Sequence, residues 1–318
     1  MSDIPRRIVL DRRKGRGPYR FLLLPGLVPD GPHTFLLQRK VFKKFGGSVT
    51  FTYPYDHYDL ERTLATITEE LDRAVAEGAK PVLVGVSVGG GLVLELLRRA
   101  RERGQHLAVG GIILISPLTS PDDLSPLLKR LLAPIFAEAE KPGGAPERAL
   151  QRGRQFFMSL ASRSAGTKAR PTGFQRIVSL LTPSGLIALR DHALREEIEA
   201  SLTRVHDRAA VERVLALRAY RGVHDLVKAQ LPLTPAPTLI LWGSKERHTL
   251  DMDGPGGRLL SRPDLAHQHF PDLEVQWVYN PDGDPAPHAS LLKHAKAFNK
   301  HLKRFCKRLG ATRSASED

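Results

Sequence analysis

The chain has 318 residues, of which 41% are hydrophobic and 26% are charged, and this is the composition of an ordinary globular protein. Its single cysteine excludes an internal disulfide framework and a cysteine-based metal cluster. The formal net charge of +14 is compatible with a nucleic acid, an anionic membrane surface or an acidic substrate as partner.

The distribution of the charges along the chain limits the possible partners. No zinc-finger, RRM-like or helix-turn-helix signature accompanies the cations, so no nucleic-acid partner is expected. The cations are dispersed along the chain, with local concentrations near residues 6–20 and 293–313, which leaves a weak attraction to anionic surfaces open. Neither a secretory leader nor an apolar run of membrane-spanning length is found, and a cytoplasmic location is therefore expected.

Over residues 1–117, short apolar runs alternate with amphipathic helical patterns. The runs have the length of buried strands, whereas apolar residues recur every three or four positions from Leu60 to Val75. Asp59 is the predicted N-cap of that helix and Gly78 marks its end. This alternation predicts an α/β fold with a mostly parallel central sheet and helices on both faces. The strands are predicted at 8–10, 21–24, 49–53, 82–86 and 111–115, with a shorter helix at 35–42.

A serine stands between a predicted strand and a predicted helix in the segment Gly85-Val86-Ser87-Val88-Gly89. A serine on such a sharp turn has backbone close on both sides, so the positions two before and two after it must lack a Cβ. The N-terminal N–H groups of the following helix favour negative charge that develops near the hydroxyl. A glycine-rich phosphate loop is the alternative, but the Lys-Ser/Thr ending of a P-loop and the dinucleotide-binding fingerprint are both missing.

The pattern changes after residue 117. Helical periodicity dominates residues 118–232, which predicts a helical insertion, and the strand pattern resumes at 238–242 and 274–279. The last segment is predicted to be a long amphipathic helix. One stripe of that helix is apolar from Leu291 to Leu309, and the other consists of Lys293, Lys296, Lys300, Lys303 and Lys307. We therefore divide the chain into a core at 1–117 and 233–311, an insertion at 118–232 and a disordered tail at 312–318.

The strand, turn and helix around Gly85-x-Ser87-x-Gly89 resemble the nucleophile elbow of the α/β-hydrolase fold family. The resemblance covers nearly the whole chain and implies that Ser87 is the nucleophile. It also implies that the insertion at 118–232 is a helical cap. The Pro-Gly pair before Leu27 stands where family members often carry His-Gly. The resemblance implies that the oxyanion hole consists of two backbone N–H groups, that of Leu27 after this glycine and that of Val88 directly after the nucleophile.

The resemblance implies an acid and a base in chain order after the serine. Glu246 follows the strand at 238–242 and is the first candidate for the acid, while Asp251 and Asp253 in the same loop are the alternatives. His288, between the strand at 274–279 and the last helix, occupies the family's place for the base, although Pro287 replaces the usual preceding glycine.

The expected function is that of a serine hydrolase acting on an ester-type bond, like a carboxylesterase or a small lipase. The partner would be a small acyl ester or thioester, without cofactor or metal, because no cluster of metal-binding residue types has ligand spacing. A thioesterase, an acyltransferase on the same fold and a non-catalytic binding protein are the alternatives. The basic stripe of the last helix suggests a weak contact with anionic membranes. Neither the substrate nor the oligomeric state follows from these residues.

Overall fold

A seven-stranded sheet forms the centre of the computed structural model, which describes residues 7–27, 31–148, 204–220, 231–280 and 285–311, together with residues 151, 196, 200 and 283. The strand order is β1-β3-β2-β4-β5-β6-β7. β1 pairs with β3 in the antiparallel direction and the other pairs are parallel. The predicted α/β architecture with a mostly parallel sheet is thus confirmed. The strands are β1 Val9–Arg13, β2 Tyr19–Leu24, β3 Gly46–Thr52, β4 Lys80–Val86, β5 Gly111–Ile115, β6 Thr238–Gly243 and β7 Leu273–Val278.

Apolar side chains leave the sheet alternately on its two faces, and helices cover both of them. One face, which carries Leu22 and Leu83, packs against α3, α4 and α5; the other, which carries Phe21 and Val82, packs against α2 and α9. This burial on both sides explains why the strands are nearly continuous apolar runs. The helices are α1 Gly31–Thr34, α2 Arg39–Phe42, α3 Leu60–Ala76, α4 Val88–Glu102, α5 Pro126–Glu140, α6 Asp207–Ala216, α7 Pro255–Ser261, α8 Pro263–Ala266 and α9 Ala295–Ala311.

Local signals set several of the helix boundaries. The Asp59 carboxylate accepts a hydrogen bond from the Arg62 N–H at 3.1 Å and caps α3, as the sequence predicts. Gly78 ends the helix region with φ +73°. The predicted helix at 35–42 is wrong in its extent, because residues 35–38 form a turn and only Arg39–Phe42 is helical, as α2. The single turn α1 lies before this segment. The last helix begins at Ala295, later than the apolar stripe that starts at Leu291 predicts.

The described parts of the predicted insertion at 118–232 are mainly helices and turns, with one isolated β-bridge from Leu124 to Leu250. They comprise α5, α6 and two 3₁₀ turns at Pro121–Asp123 and Leu217–Ala219. The rest of this range, and the predicted tail at 312–318, lie outside the described residues. None of the described helices is both long and apolar enough to cross a membrane.

The two tryptophans of the chain are neighbours near one edge of the sheet. Trp242 on β6 is paired in register with Trp277 on β7, and their ring centroids are 6.4 Å apart. Trp242 is fully buried, and its indole N–H donates to the Leu260 carbonyl at 3.4 Å. Both tryptophans are the next-to-last residues of their strands, close to the loops that follow.

The single cysteine, Cys306, belongs to the apolar stripe of α9 and is fully buried, consistent with its interpretation as a small hydrophobic side chain. Desolvation raises the pKa of its thiol to about 12. The thiolate, which is the reactive form, is therefore scarce in the folded protein.

We expect the thiol of Cys306 to react with Ellman's reagent roughly a thousandfold more slowly in the folded protein than a free cysteine does, because both the thiolate and access to it are suppressed. Reaction should become fast above the midpoint of urea unfolding. A stopped-flow absorbance measurement at several urea concentrations tests this, and rapid labelling without denaturant would contradict the packing of α9.

Candidate active site

The candidate site is centred on Ser87, which connects the end of β4 at Val86 to the start of α4 at Val88. Ser87 has φ +51° and ψ −114°, a conformation that costs a non-glycine residue about 1–3 kcal/mol. Its backbone is held on both sides: the Ser87 N–H donates to the Ile115 carbonyl at 2.9 Å, and its own carbonyl accepts from the Leu118 N–H at 3.0 Å. The neighbouring strand therefore stabilises the strained turn.

The glycines of the motif are required by close backbone contacts. A Cβ on Gly85 would lie 2.6 Å from the carbonyl carbon of Gly89, and a Cβ on Gly89 would lie 2.6 Å from the carbonyl oxygen of Pro25. Both distances are far below van der Waals contact, and the obstructing atoms belong to backbone that cannot rotate away. The positions two before and two after the serine thus exclude any side chain.

The loop after β2 packs directly against the serine. A Cβ on Gly26 would lie 3.3 Å from the Cβ of Ser87, and the Tyr53 hydroxyl donates to the Pro25 carbonyl at 3.2 Å and holds the loop in place. Within the part of the chain that the structure describes, the N–H groups of Leu27 and Val88 have no protein acceptor. These two donors are therefore available to a ligand atom beside Ser87.

A chain of hydrogen bonds leads from Ser87 to a buried carboxylate. The hydroxyl of Ser87 donates to His288 Nε2 at 2.8 Å, and His288 Nδ1 is hydrogen-bonded to Glu246 Oε1. A carboxylate only accepts hydrogen bonds, so Nδ1 carries the proton and the lone pair of Nε2 faces the hydroxyl. Glu246 is fully buried and the side chain of His288 is 15% exposed, so the site opens to solvent on the side of the serine and the imidazole.

Two loops meet to bring the acid and the imidazole together. The Ser244 hydroxyl, after β6, accepts from the Ala286 N–H at 2.8 Å, and the Lys245 N–H donates to the Ala286 carbonyl at 2.9 Å. Gly243 permits this contact, because a Cβ there would lie 2.6 Å from the carbonyl oxygen of Pro287. Pro287 thus contributes its carbonyl to the junction of the two loops.

The two alternative carboxylates, Asp251 and Asp253, form other interactions within their own loop. The Asp251 carboxylate accepts from the N–H groups of Asp253 and Gly254 at 3.2 and 3.1 Å, and Asp253 is exposed and pairs with Arg247 at 3.4 Å. The structure therefore places Glu246, and neither Asp251 nor Asp253, beside the imidazole.

A second buried carboxylate anchors this loop to the start of the insertion. Asp123 accepts hydrogen bonds from the Thr119 hydroxyl and from the Gly256 N–H, the latter at 2.8 Å, while its backbone carbonyl accepts from the Asp251 N–H at 2.7 Å. Desolvation raises the pKa of Asp123, and the hydrogen bonds from Thr119 and Gly256 oppose the rise. The loop that carries Glu246 is therefore held from two sides.

Ser116, at the carboxyl end of β5, is a site residue that our sequence reasoning missed. Its hydroxyl donates to Glu246 Oε2 at 2.7 Å and accepts from the Ala289 N–H at 3.1 Å, and the Gly243 N–H donates to the same carboxylate oxygen at 3.0 Å. Ser116 thus links the acid to the residue after His288. The available signal was a small polar residue that ends a buried strand next to the strand of the serine.

Backbone strain is concentrated here. Among the described residues, the non-glycine positions with positive φ are Ser87, Ser116 and Ala289, at +51°, +47° and +48°. Such residues persist where surrounding structure fixes them, and they cluster at functional sites. No group of three or more metal-binding side chains is assembled within the described residues, here or elsewhere.

Comparisons with known proteins agree with this architecture. A family model described as alpha/beta hydrolase fold matches residues 49–207, which is half of the chain. The chain therefore belongs to the α/β-hydrolase fold family. A search among curated proteins gives no significant match.

Solved structures resemble the chain over nearly its full length. An esterase from Exiguobacterium antarcticum (EaEST) is 15% identical with a TM-score of 0.61, and the match covers 94% of this chain and 95% of the esterase. The esterase RhEst1 from Rhodococcus sp. ECU1013 is 16% identical with a TM-score of 0.59 and 95% coverage of both chains. A thermophilic esterase from Thermogutta terrifontis is 14% identical with a TM-score of 0.58, covering 95% of this chain and 94% of the esterase. At these identities the likeness shows a shared fold.

We expect Gly89→Ala to lower the free energy of unfolding by roughly 2–4 kcal/mol, because the added methyl group overlaps the backbone after β2. The matched control is Gly310→Ala, where nothing lies within 4 Å of the added Cβ and the helix gains up to about 1 kcal/mol. Urea unfolding followed by circular dichroism measures both. Equal stability of the two variants would contradict the geometry of the turn.

Proposed function

We propose that the protein is a serine hydrolase that cleaves carboxylic ester bonds through an acyl-enzyme on Ser87. The observation that carries this proposal is the hydrogen-bonded chain from the Ser87 hydroxyl through His288 to Glu246. Serine is a weak nucleophile, and an adjacent base that is oriented by an acid activates it. The family membership and the three esterases of similar fold support a hydrolase but leave the activity itself to be measured.

In the first step, Ser87 Oγ attacks the acyl carbon and a new C–O bond forms. The hydroxyl proton passes to His288 Nε2, which faces it at 2.8 Å. Glu246 keeps His288 in the tautomer with the proton on Nδ1 and stabilises the imidazolium that forms.

The former carbonyl oxygen then carries negative charge. The N–H groups of Leu27 and Val88, which have no acceptor among the described residues, would bind this oxyanion. Both donors are backbone groups, so Pro25 in place of histidine removes no donor from this oxyanion hole. Val88 also begins α4, whose N-terminus favours the negative charge.

The tetrahedral intermediate collapses when the bond to the leaving alcohol breaks and His288 returns its proton to the departing oxygen. Water then attacks the acyl-enzyme with His288 again as the base, and the acid is released as Ser87 recovers its proton. The insertion at 118–232, which we propose to be a cap, would select the acyl and alcohol groups.

The nucleophile can be tested directly by labelling the full-length protein with a fluorophosphonate probe. We expect rapid labelling of the wild type, none of Ser87→Ala, and a rate reduced roughly a thousandfold in His288→Ala and at least tenfold in Glu246→Gln. In-gel fluorescence over time measures the rates. A folded wild type that does not label would overturn the proposal in favour of a binding function.

The controls separate the site from its surroundings. His267→Gln changes an exposed histidine, and Asp251→Asn changes the neighbouring carboxylate that is used in its own turn. Both variants should label like the wild type. Hydrolysis of p-nitrophenyl esters and of an acyl thioester, with and without an added alcohol, then distinguishes an esterase from a thioesterase or an acyltransferase.

Ser116 should act as a positioning residue through Glu246 and His288. We expect Ser116→Ala to lower kcat about tenfold on a p-nitrophenyl ester with KM nearly unchanged, because the acid and the imidazole loop lose their common partner. Steady-state kinetics at several pH values measures this.

The matched variant Ser116→Gly separates strain from hydrogen bonding. Glycine relieves the cost of φ +47°, so this variant should be more stable than Ser116→Ala and equally slow. Full activity in either variant would show that the hydroxyl does not position the site.

A further inference from the structure

The charged residues are distributed unequally over the two faces of the sheet. On one face, α3 and α4 carry six acidic residues and five arginines. On the other face, which α2 and α9 cover, the segments 31–49 and 285–311 contain eleven lysines and arginines and no acidic residue. These two segments therefore place a strong local excess of positive charge on the face that α2 and α9 cover.

Most of these cations have no opposite charge nearby. Arg39 pairs with Asp11 at 3.3 Å, Arg308 pairs with Asp272 at 2.7 Å, and Arg304 pairs with Glu274. In the described part of the chain, the remaining eight are exposed and form no ion pair. We call them the lysine face: Lys40, Lys43, Lys44, Lys293, Lys296, Lys300, Lys303 and Lys307.

The lysines of the two helices form one continuous surface. The side-chain amide of Asn299 on α9 donates to the Leu37 carbonyl at 3.1 Å, and that of Gln38 donates to the Leu291 carbonyl at 2.9 Å, so the two segments lie side by side. Phe42 and Phe298 point into the core. The lysines of α9 therefore stand on its outward side. Lys40 on α2 is exposed as well, as are Lys43 and Lys44 after the end of α2 and Lys293 before the start of α9.

We propose that the lysine face docks the protein on an anionic lipid membrane. A broad array of lysines is attracted to the diffuse negative potential of anionic headgroups, each charge adding to the binding. Lysine is a hydrated point charge suited to such a surface, whereas arginine favours bidentate recognition of individual phosphates. Within the described residues of segments 31–49 and 285–311, no aromatic side chain is exposed for base stacking, which favours a membrane over a single-stranded nucleic acid.

The binding is electrostatic and leaves the site free. The apolar stripe of α9 is already used in the core, so the helix does not insert into lipid, and salt weakens its attraction to the surface. Ser87 lies at the carboxyl end of β4, whereas the lysine face is on the flank of the sheet. When the flank of the sheet contacts the membrane, the opening beside Ser87 does not face the lipid. Turnover of a water-soluble ester therefore does not depend on docking.

The test is sedimentation of the full-length protein with vesicles of phosphatidylcholine containing about 30% phosphatidylserine, at about 50 and about 300 mM salt. We expect binding at the lower salt that is lost at the higher salt and with phosphatidylcholine alone. The variant Lys296→Gln/Lys300→Gln/Lys303→Gln/Lys307→Gln should need at least about tenfold more anionic lipid for half-maximal binding.

The matched control removes four charges elsewhere: Arg62→Gln/Arg103→Gln/Lys129→Gln/Arg130→Gln, all exposed positions outside the lysine face. It should bind within about threefold of the wild type. Thermal melts verify that both variants fold. The proposal is overturned if the control loses as much binding as the lysine-face variant, or if the wild type does not bind anionic vesicles at low salt. Binding of RNA or duplex DNA through the same lysines, with vesicles unbound, would assign the surface to nucleic acid instead.

Discussion

The fully buried carboxylate of Glu246 is the group on which the geometry of the site depends. A carboxylate without access to water must find donors inside the protein. Glu246 has three such donors, and each lies at the carboxyl end of a different strand. They are His288 after β7, Ser116 after β5 and the Gly243 N–H at the end of β6. The hydrogen bonds to this one carboxylate therefore hold three loops together, and one of these bonds also orients the His288 imidazole.

The strained backbone of the site is held in place by hydrogen bonds to its surroundings. Ser87, Ser116 and Ala289 adopt positive φ, and each is tied by hydrogen bonds to a neighbouring strand or loop. A flexible loop would relax such strain, whereas a buried parallel sheet is stiff enough to maintain it. The site thus draws its rigidity from the core, since the strands β4, β5 and β6, which lead to Ser87, Ser116 and Glu246, are buried on both faces.

The sequence predicts those features of the fold and the site that depend on residues close together in the chain. The turn at Ser87 follows from a strand, two glycines and a helix within a few residues, and the α3 cap follows from Asp59 alone. The choice among three carboxylates in one loop did not follow, because the path of that loop is set by the distant contact of Ser244 with Ala286. Ser116 was missed for the same reason, since its partner is 130 residues away. The basic stripe of the last helix follows from its sequence, whereas Lys40, Lys43 and Lys44 extend it only because α2 lies beside α9.

The pair of tryptophans gives the molecule a built-in optical reporter. Trp242 and Trp277 stand at the ends of β6 and β7, immediately before the loops that carry Glu246 and His288. The range 118–232 contains no tryptophan. Intrinsic fluorescence therefore reports on rearrangement of the loops that carry Glu246 and His288 from residues already in the chain, without any added dye.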